Sequence, residues 1–148
     1  MEPAQPTPTL PVRIEPRIRA YLERPLFAAV ATLDPDGAPR QAVVWYRLEA
    51  DDRILVNSRA GRRWPANLER DGRVAIAITS PDGGEEWVGV TGHVVDIDAD
   101  LERARDDIVA LAHHYRSDPT EASIAEFRSQ RRISFRIAID SIHNHLED

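Results

Sequence analysis

Lysine is absent from this chain: all 19 basic side chains are arginine. A Schiff base, a lysine general base and a lysine phosphate clamp are therefore excluded. Any bound anion must be held by arginine, backbone amides, hydroxyls or histidine. Cysteine is absent too, which removes disulfides, thiolate nucleophiles and cysteine metal sites. No apolar run approaches the roughly 18 residues of a membrane span. The opening "MEPAQPTPTLPVRIEP" lacks the positive segment followed by an apolar stretch that marks a signal peptide. A cytoplasmic protein with no membrane contact is the expectation. No P-loop, GxGxxG fingerprint or nucleophile elbow occurs. Positive charge is also in deficit: the net charge is −6 and the pI near 5.4. A general nucleic-acid binder is basic, so nucleic acid is not an expected partner.

What is present reads as one globular domain. The chain has 148 residues, 42% of them hydrophobic, enough to bury a core. Residues 1–13 carry four prolines and no periodicity, so they read as a flexible tail ahead of a domain over 14–148. From Ile14 to Leu22 the apolar residues recur at helical spacing, with Pro16 suited to a first turn. Leu26–Leu33, Gln41–Leu48 and Arg53–Asn57 read as strands joined by "DPDG" and "EADD" turns. A short helix is expected within "GRRWPANLERDG" (61–72), with Gly72 at its C-cap. "RVAIAIT" alternates as a strand, and "PDGG" (81–84) turns the chain. Trp87–Ile97 reads as a long strand, where Gly89 and Gly92 point to a bend or a close backbone approach.

Two helices follow. In the first, Leu101, Ile108, Leu111, Ala112 and Tyr115 form one stripe; the second covers about Glu121–Gln130. "RRISFRIAID" closes the chain as an alternating strand. Hairpin turns favour antiparallel pairing. About six antiparallel strands with few helices to cover them predict a mainly β fold, a small barrel with peripheral helices.

The densest chemistry sits in "NSRAGRRWPANLERDGRVAIAI" (57–78), where Arg59, Arg62 and Arg63 crowd a strand-to-helix corner. Arginine forks suit a phosphate, and a helix start adds free N–H groups. The bland alternative is a solvated turn pairing with Glu69 or Asp71. Trp45 reads as packing. Trp64 and Trp87 read either as packing or as stacking surfaces for a flat ring. "AHHY" (112–115) offers no chelating pair, because metal-binding helical histidines stand three or four apart. "HNH" (143–145) lacks a third ligand nearby, and no metal site is expected. His93 and Tyr46 are candidates for a proton donor; the alternative for His93 is a partly exposed strand residue.

"LFAAVATLDPDGAPRQAVVWYRL" followed by "ILVNSRAGRRWPANLERDGRVAIAI" resembles the pyridoxamine 5′-phosphate oxidase-like superfamily of FMN-binding split β-barrels. Within it the chain looks most like the deazaflavin-dependent reductases that use coenzyme F420. The resemblance spans roughly residues 14–142. It implies a homodimer with the cofactor at the subunit interface. It also implies a phosphate held by Ser58, Arg62 and Arg63, a flat ring along Val43, Val44 and Trp45, and a ring contact near Trp87. Arg59 is expected to steer the acidic oligoglutamate tail of F420. Trp64 stands where many relatives carry lysine. The implied function is hydride transfer from F420 to a small unsaturated or oxidised molecule. The alternatives are an FMN flavoprotein of the same fold and a carrier that binds F420 or another ligand without turnover.

Overall fold

A computed structural model describes residues 12–82 and 84–146. The expected tail lies outside the described residues up to position 11. Helix α1 (Pro16–Leu22) starts with proline in its first turn and buries Ile18, Tyr21 and Leu22. The strands are β1 (Phe27–Leu33), β2 (Pro39–Val44), β3 (Tyr46–Leu48), β4 (Ile54–Arg59), β5 (Arg73–Thr79), β6 (Trp87–Asp98) and β7 (Arg132–His145). Helix α2 (Arg63–Arg70) follows β4, and α3 (Leu101–Tyr115) and α4 (Glu121–Ser129) precede β7.

The strands form one antiparallel sheet in the order β2-β1-β5-β6-β7-β4-β3. Among the described residues there are seven strands rather than six because Trp45 divides the expected Gln41–Leu48 strand. Before it, Val44 pairs with Ala28 of β1; after it, Tyr46 pairs with Val56 of β4. The two halves thus belong to opposite edges of the sheet. One residue carries the chain from the first edge to the last, and the sheet curls into a split barrel. "DPDG" turns as expected, with Gly37 at φ +86° and its N–H bonded to the Asp34 carbonyl at 2.8 Å.

Period-2 alternation fills the barrel. Val74, Ile76 and Ile78 point inward from β5, as do Ala28 and Val30 from β1 and Val88 and Val90 from β6. Phe135, Ile137, Ile54 and Val56 complete the interior, and Trp64 and Leu68 of α2 join the same core. Outside β4 and β7, helix α3 lays Ala104, Ile108, Leu111 and Ala112 over the sheet. Leu101, expected on that stripe, is 40% exposed. Because both faces of β7 are covered there, Arg132, Ile133, Ser134 and Phe135 are all buried, and the alternation expected from "RRISFRIAID" breaks down.

Two glycines work differently from each other. Gly72 is not a left-handed cap: Asp71 closes α2 in extended conformation. Gly72 instead lies against β6, accepting from the Val94 N–H at 2.9 Å. A Cβ on Gly92 would stand 2.3 Å from the Ala138 carbonyl oxygen. That close approach, at the register shift between Thr91 and Gly92, is the one the sequence suggested.

Candidate functional site

A cavity of about 600 Å³ opens between the β2 edge, the end of β4, the start of α2 and the α3–α4 pair. The strand-to-helix corner supplies Ser58, Arg59, Arg62 and Trp64; the β2 edge supplies Val43, Val44 and Trp45. These seven positions, apart by up to 21 in sequence, meet because β4 lies across the seam from the end of β2.

One end of the cavity is cationic. Arg59 and Arg62 are exposed at its rim, and Arg132 of β7 is buried at 8% exposure. Cross-strand pairing sets Arg59 directly opposite Arg132. The Arg132 Nε donates to Asn57 Oδ1 at 2.9 Å and its Nη1 to Gln130 Oε1 at 2.8 Å. Among the described residues, Nη2 has no hydrogen-bond partner, and none of these three arginines has a carboxylate within ion-pairing distance. Burial, with Arg62 and Arg59 nearby, pulls the Arg132 pKa down to about 10. A buried cation without a counter-ion is costly; an anion in the cavity relieves that cost.

Arg132 is held by a relay of side chains. Asn57 donates to the Ala104 carbonyl at 2.9 Å and to Ser134 Oγ at 2.8 Å. Ser134 donates to Asp107 Oδ2 at 2.7 Å, and Arg136 joins Asp107 to Glu49. The carboxylates thus neutralise Arg136 and leave Arg132 unpaired. The Ser58 hydroxyl, 2% exposed, donates to the Arg59 carbonyl at 3.0 Å. Helix α2 has no side-chain N-cap bond at Arg62, so its first N–H groups remain as donors beside the arginines.

The other end is flat and apolar. Val43 is 73% exposed and Phe27 47%, and both line the cavity. Trp45 stacks on Tyr115 at 5.0 Å and 10°, with Phe127 edge-on at 6.3 Å. The Arg116 guanidinium lies 5.1 Å from the Trp45 ring centre. Glu126 is the single carboxylate lining the cavity among the described residues, against four arginines. The donor set and this apolar floor fit a phosphate joined to a planar ring.

Four expected site residues lie elsewhere in this chain. Arg63 lines a separate groove with Asp34, Asp36 and Arg70, because successive helical residues point about 100° apart. Tyr46 is fully buried and donates its hydroxyl to the Leu22 carbonyl at 2.8 Å; strand geometry turns it opposite to its neighbours. Burial also raises its pKa, so it is not placed to supply a proton in the cavity. His93 is exposed and pairs with Asp140 at 2.9 Å. Trp87 lies on the outer sheet face, stacked on His145 at 4.1 Å. Trp64 touches the cavity but is 7% exposed and packs 6.1 Å from Phe135, so it serves chiefly as core. No group of His, Asp and Glu suited to a metal occurs among the described residues.

Sequence reasoning missed Arg132, Asn57, Gln130, Arg116 and Phe127. Arg132 gave no local signal: it falls on the polar, outward phase of the closing strand, with Ser134 and Arg136. Its burial depends on α3, which no local pattern reveals.

Comparisons with known proteins agree with the fold. A search of curated proteins found no match. Among solved structures, an F420 reductase is 23% identical at a TM-score of 0.72, covering 84% of this chain and 94% of that one. The conserved hypothetical protein Rv2991 from Mycobacterium tuberculosis is 22% identical at 0.69, covering 96% and 91%. HupZ of Group A Streptococcus is 19% identical at 0.64, covering 89% and 94%. At these identities the likeness is one of fold. No helix among the described residues is long and apolar enough to cross a membrane. The profile of the pyridoxamine 5′-phosphate oxidase family matches residues 14–145, and the chain belongs to that family, whose fold binds flavins.

Proposed function

We propose that this protein is an oxidoreductase that uses coenzyme F420 to pass a hydride to a small unsaturated or oxidised organic molecule. The observation that carries the reading is the buried Arg132 beside the exposed Arg59 and Arg62, none of them in an ion pair with a carboxylate among the described residues, at one end of a cavity whose other end is an apolar strand edge. Arg132 and Arg62, with the Ser58 corner and the α2 N–H groups, hold the phosphate. Val43, Val44 and Trp45 form the floor for the ring. Bound there, the reduced deazaflavin supplies the hydride, and the protein supplies orientation and a dry surface. Tyr46 is turned into the core and His93 lies on the outer sheet face, so within one chain solvent supplies the proton. Arg59, exposed at the rim, suits the acidic tail that F420 carries and FMN lacks. The fold shared with an F420 reductase supports the same choice.

A homodimer is part of this proposal. The outer sheet face carries Ala29, Ala31, Ala75, Ala77 and Gly89 around Trp87, a surface of small side chains on which a second sheet can lie. Ala29 pairs across strands with the exposed Val43, so this face runs up to the cavity mouth. A second copy seated there closes the cavity.

Titrating the purified protein with F420 and with FMN, followed by fluorescence, tests the reading. Micromolar binding of F420 is expected, followed by oxidation of reduced F420 by some member of an enone, quinone and tetrapyrrole panel. Binding of FMN but not F420 overturns the choice of cofactor. Tight binding of F420 with no oxidation by any acceptor points to a carrier.

A further inference from the structure

The seam at Trp45 poses a backbone problem. Between β2 and β3 the chain leaves one edge of the sheet and joins the other, so the ladder is interrupted. The Tyr46 N–H, just past the break, needs a partner. That partner is the hydroxyl of Tyr115, in the last turn of α3. It accepts from the Tyr46 N–H at 3.0 Å and donates to the Leu26 carbonyl, the residue just before β1. One side-chain oxygen thus ties β3, the approach to β1 and α3 together. The same ring stacks flat on Trp45, while Phe127 of α4 meets Trp45 edge-on. Burial raises the Tyr115 pKa to about 12, so the hydroxyl remains a donor throughout the neutral range.

We propose that Tyr115 is a positioning residue for the cofactor ring: its hydroxyl pins the split in the barrel, and thereby sets the Val43–Trp45 floor against α3 and α4. This rests on the function proposed above. The phosphate end has its own hydrogen bonds, from Arg132 to Asn57 and Gln130, and the Tyr115 hydroxyl takes part in none of them. Loss of the pin therefore weakens the grip on the ring while sparing the grip on the anion.

The test is Tyr115→Phe, which keeps the stacked ring and removes only the hydroxyl. Three quantities are compared with wild type: the Kd for F420, the Kd for inorganic pyrophosphate, and amide exchange at Tyr46. One lost hydrogen bond predicts an F420 Kd about tenfold higher, faster exchange at Tyr46, and a pyrophosphate Kd within about twofold. An unchanged F420 Kd overturns the inference, and so does an equal loss for both ligands, which marks a general structural role. If wild type binds neither F420 nor FMN, the proposed function itself fails. Should the variant not melt cooperatively, wild type decides. F420 should slow exchange at Tyr46 beyond the effect of pyrophosphate, and equal effects overturn the inference.

Discussion

At the residue scale the informative side chain is Arg132. Most arginines of this chain lie exposed, and many pair with acids, as Arg73 does with Asp71 and Arg103 with Asp98. Arg132 is buried on a hydrogen-bonded amide and an unneutralised charge. Arg132→Met should weaken anion binding by about ten- to a hundredfold, the range for one charge-assisted contact. Arg63→Ala, in the groove on the other side of α2, should change it by less than about twofold. Calorimetric titration with pyrophosphate checks both. The pH dependence follows from the lowered pKa. A base whose folded pKa has fallen to about 10 loses its charge earlier than an exposed arginine. Affinity should therefore hold through pH 9 and fall as pH rises through 10. For the same reason the charged site disfavours the anion-free fold at neutral pH, and that penalty is relieved above pH 10. Trp64 belongs here as well. The family resemblance implies a lysine at its position, yet its ring packs on Phe135; the buried cation lining the cavity, Arg132, comes instead from β7.

At the element scale, β6 and β7 carry the molecule. Their register shifts at Thr91/Gly92 and again at Val94/Asp96, and the first shift exists because backbone from β7 crowds Gly92. A Cβ there meets a carbonyl oxygen, which cannot swing aside as a side chain can. Gly92→Ala should cost at least about 1–3 kcal/mol as overpacking, seen as a lower urea midpoint. Gly89→Ala meets the Trp87 ring instead, so side-chain movement absorbs more of the strain and the loss should be smaller. Both glycines were legible as close approaches from the strand "WVGVTGHVVDID", because glycine inside a strand otherwise weakens it. Gly72 was not: its place after a helix resembles a cap, and only the neighbouring strand shows that it makes room for Val94.

At the scale of the whole molecule, an acidic protein concentrates positive charge at one cavity mouth and small apolar residues on one sheet face. The two regions adjoin at Val43 and Phe27, which are too exposed for an isolated core. Ala77→Glu, placed in the middle of the alanine face, should convert a dimer to a monomer in light scattering at micromolar concentration. If the second copy closes the cavity, F420 affinity should fall with it. A monomeric wild type removes the dimer from the proposal.

Most strands, the turns and the four helices of the described residues were readable from period, turn residues and proline at helix starts, since each depends on neighbours within a few positions. The arginine-rich corner at 58–63 was readable from its residues, and the resemblance to a known family implied the Val43–Trp45 edge beside it. Tertiary structure decided the rest. Whether Gln41–Leu48 was one strand or two depended on which edges its halves joined. Whether Arg62 or Arg63 faced the cavity depended on the rotation of α2. Whether Arg132 was buried depended on α3 crossing outside β7. These are questions of how distant segments cover one another, and burial by a distant element leaves no periodic trace in the residues it covers.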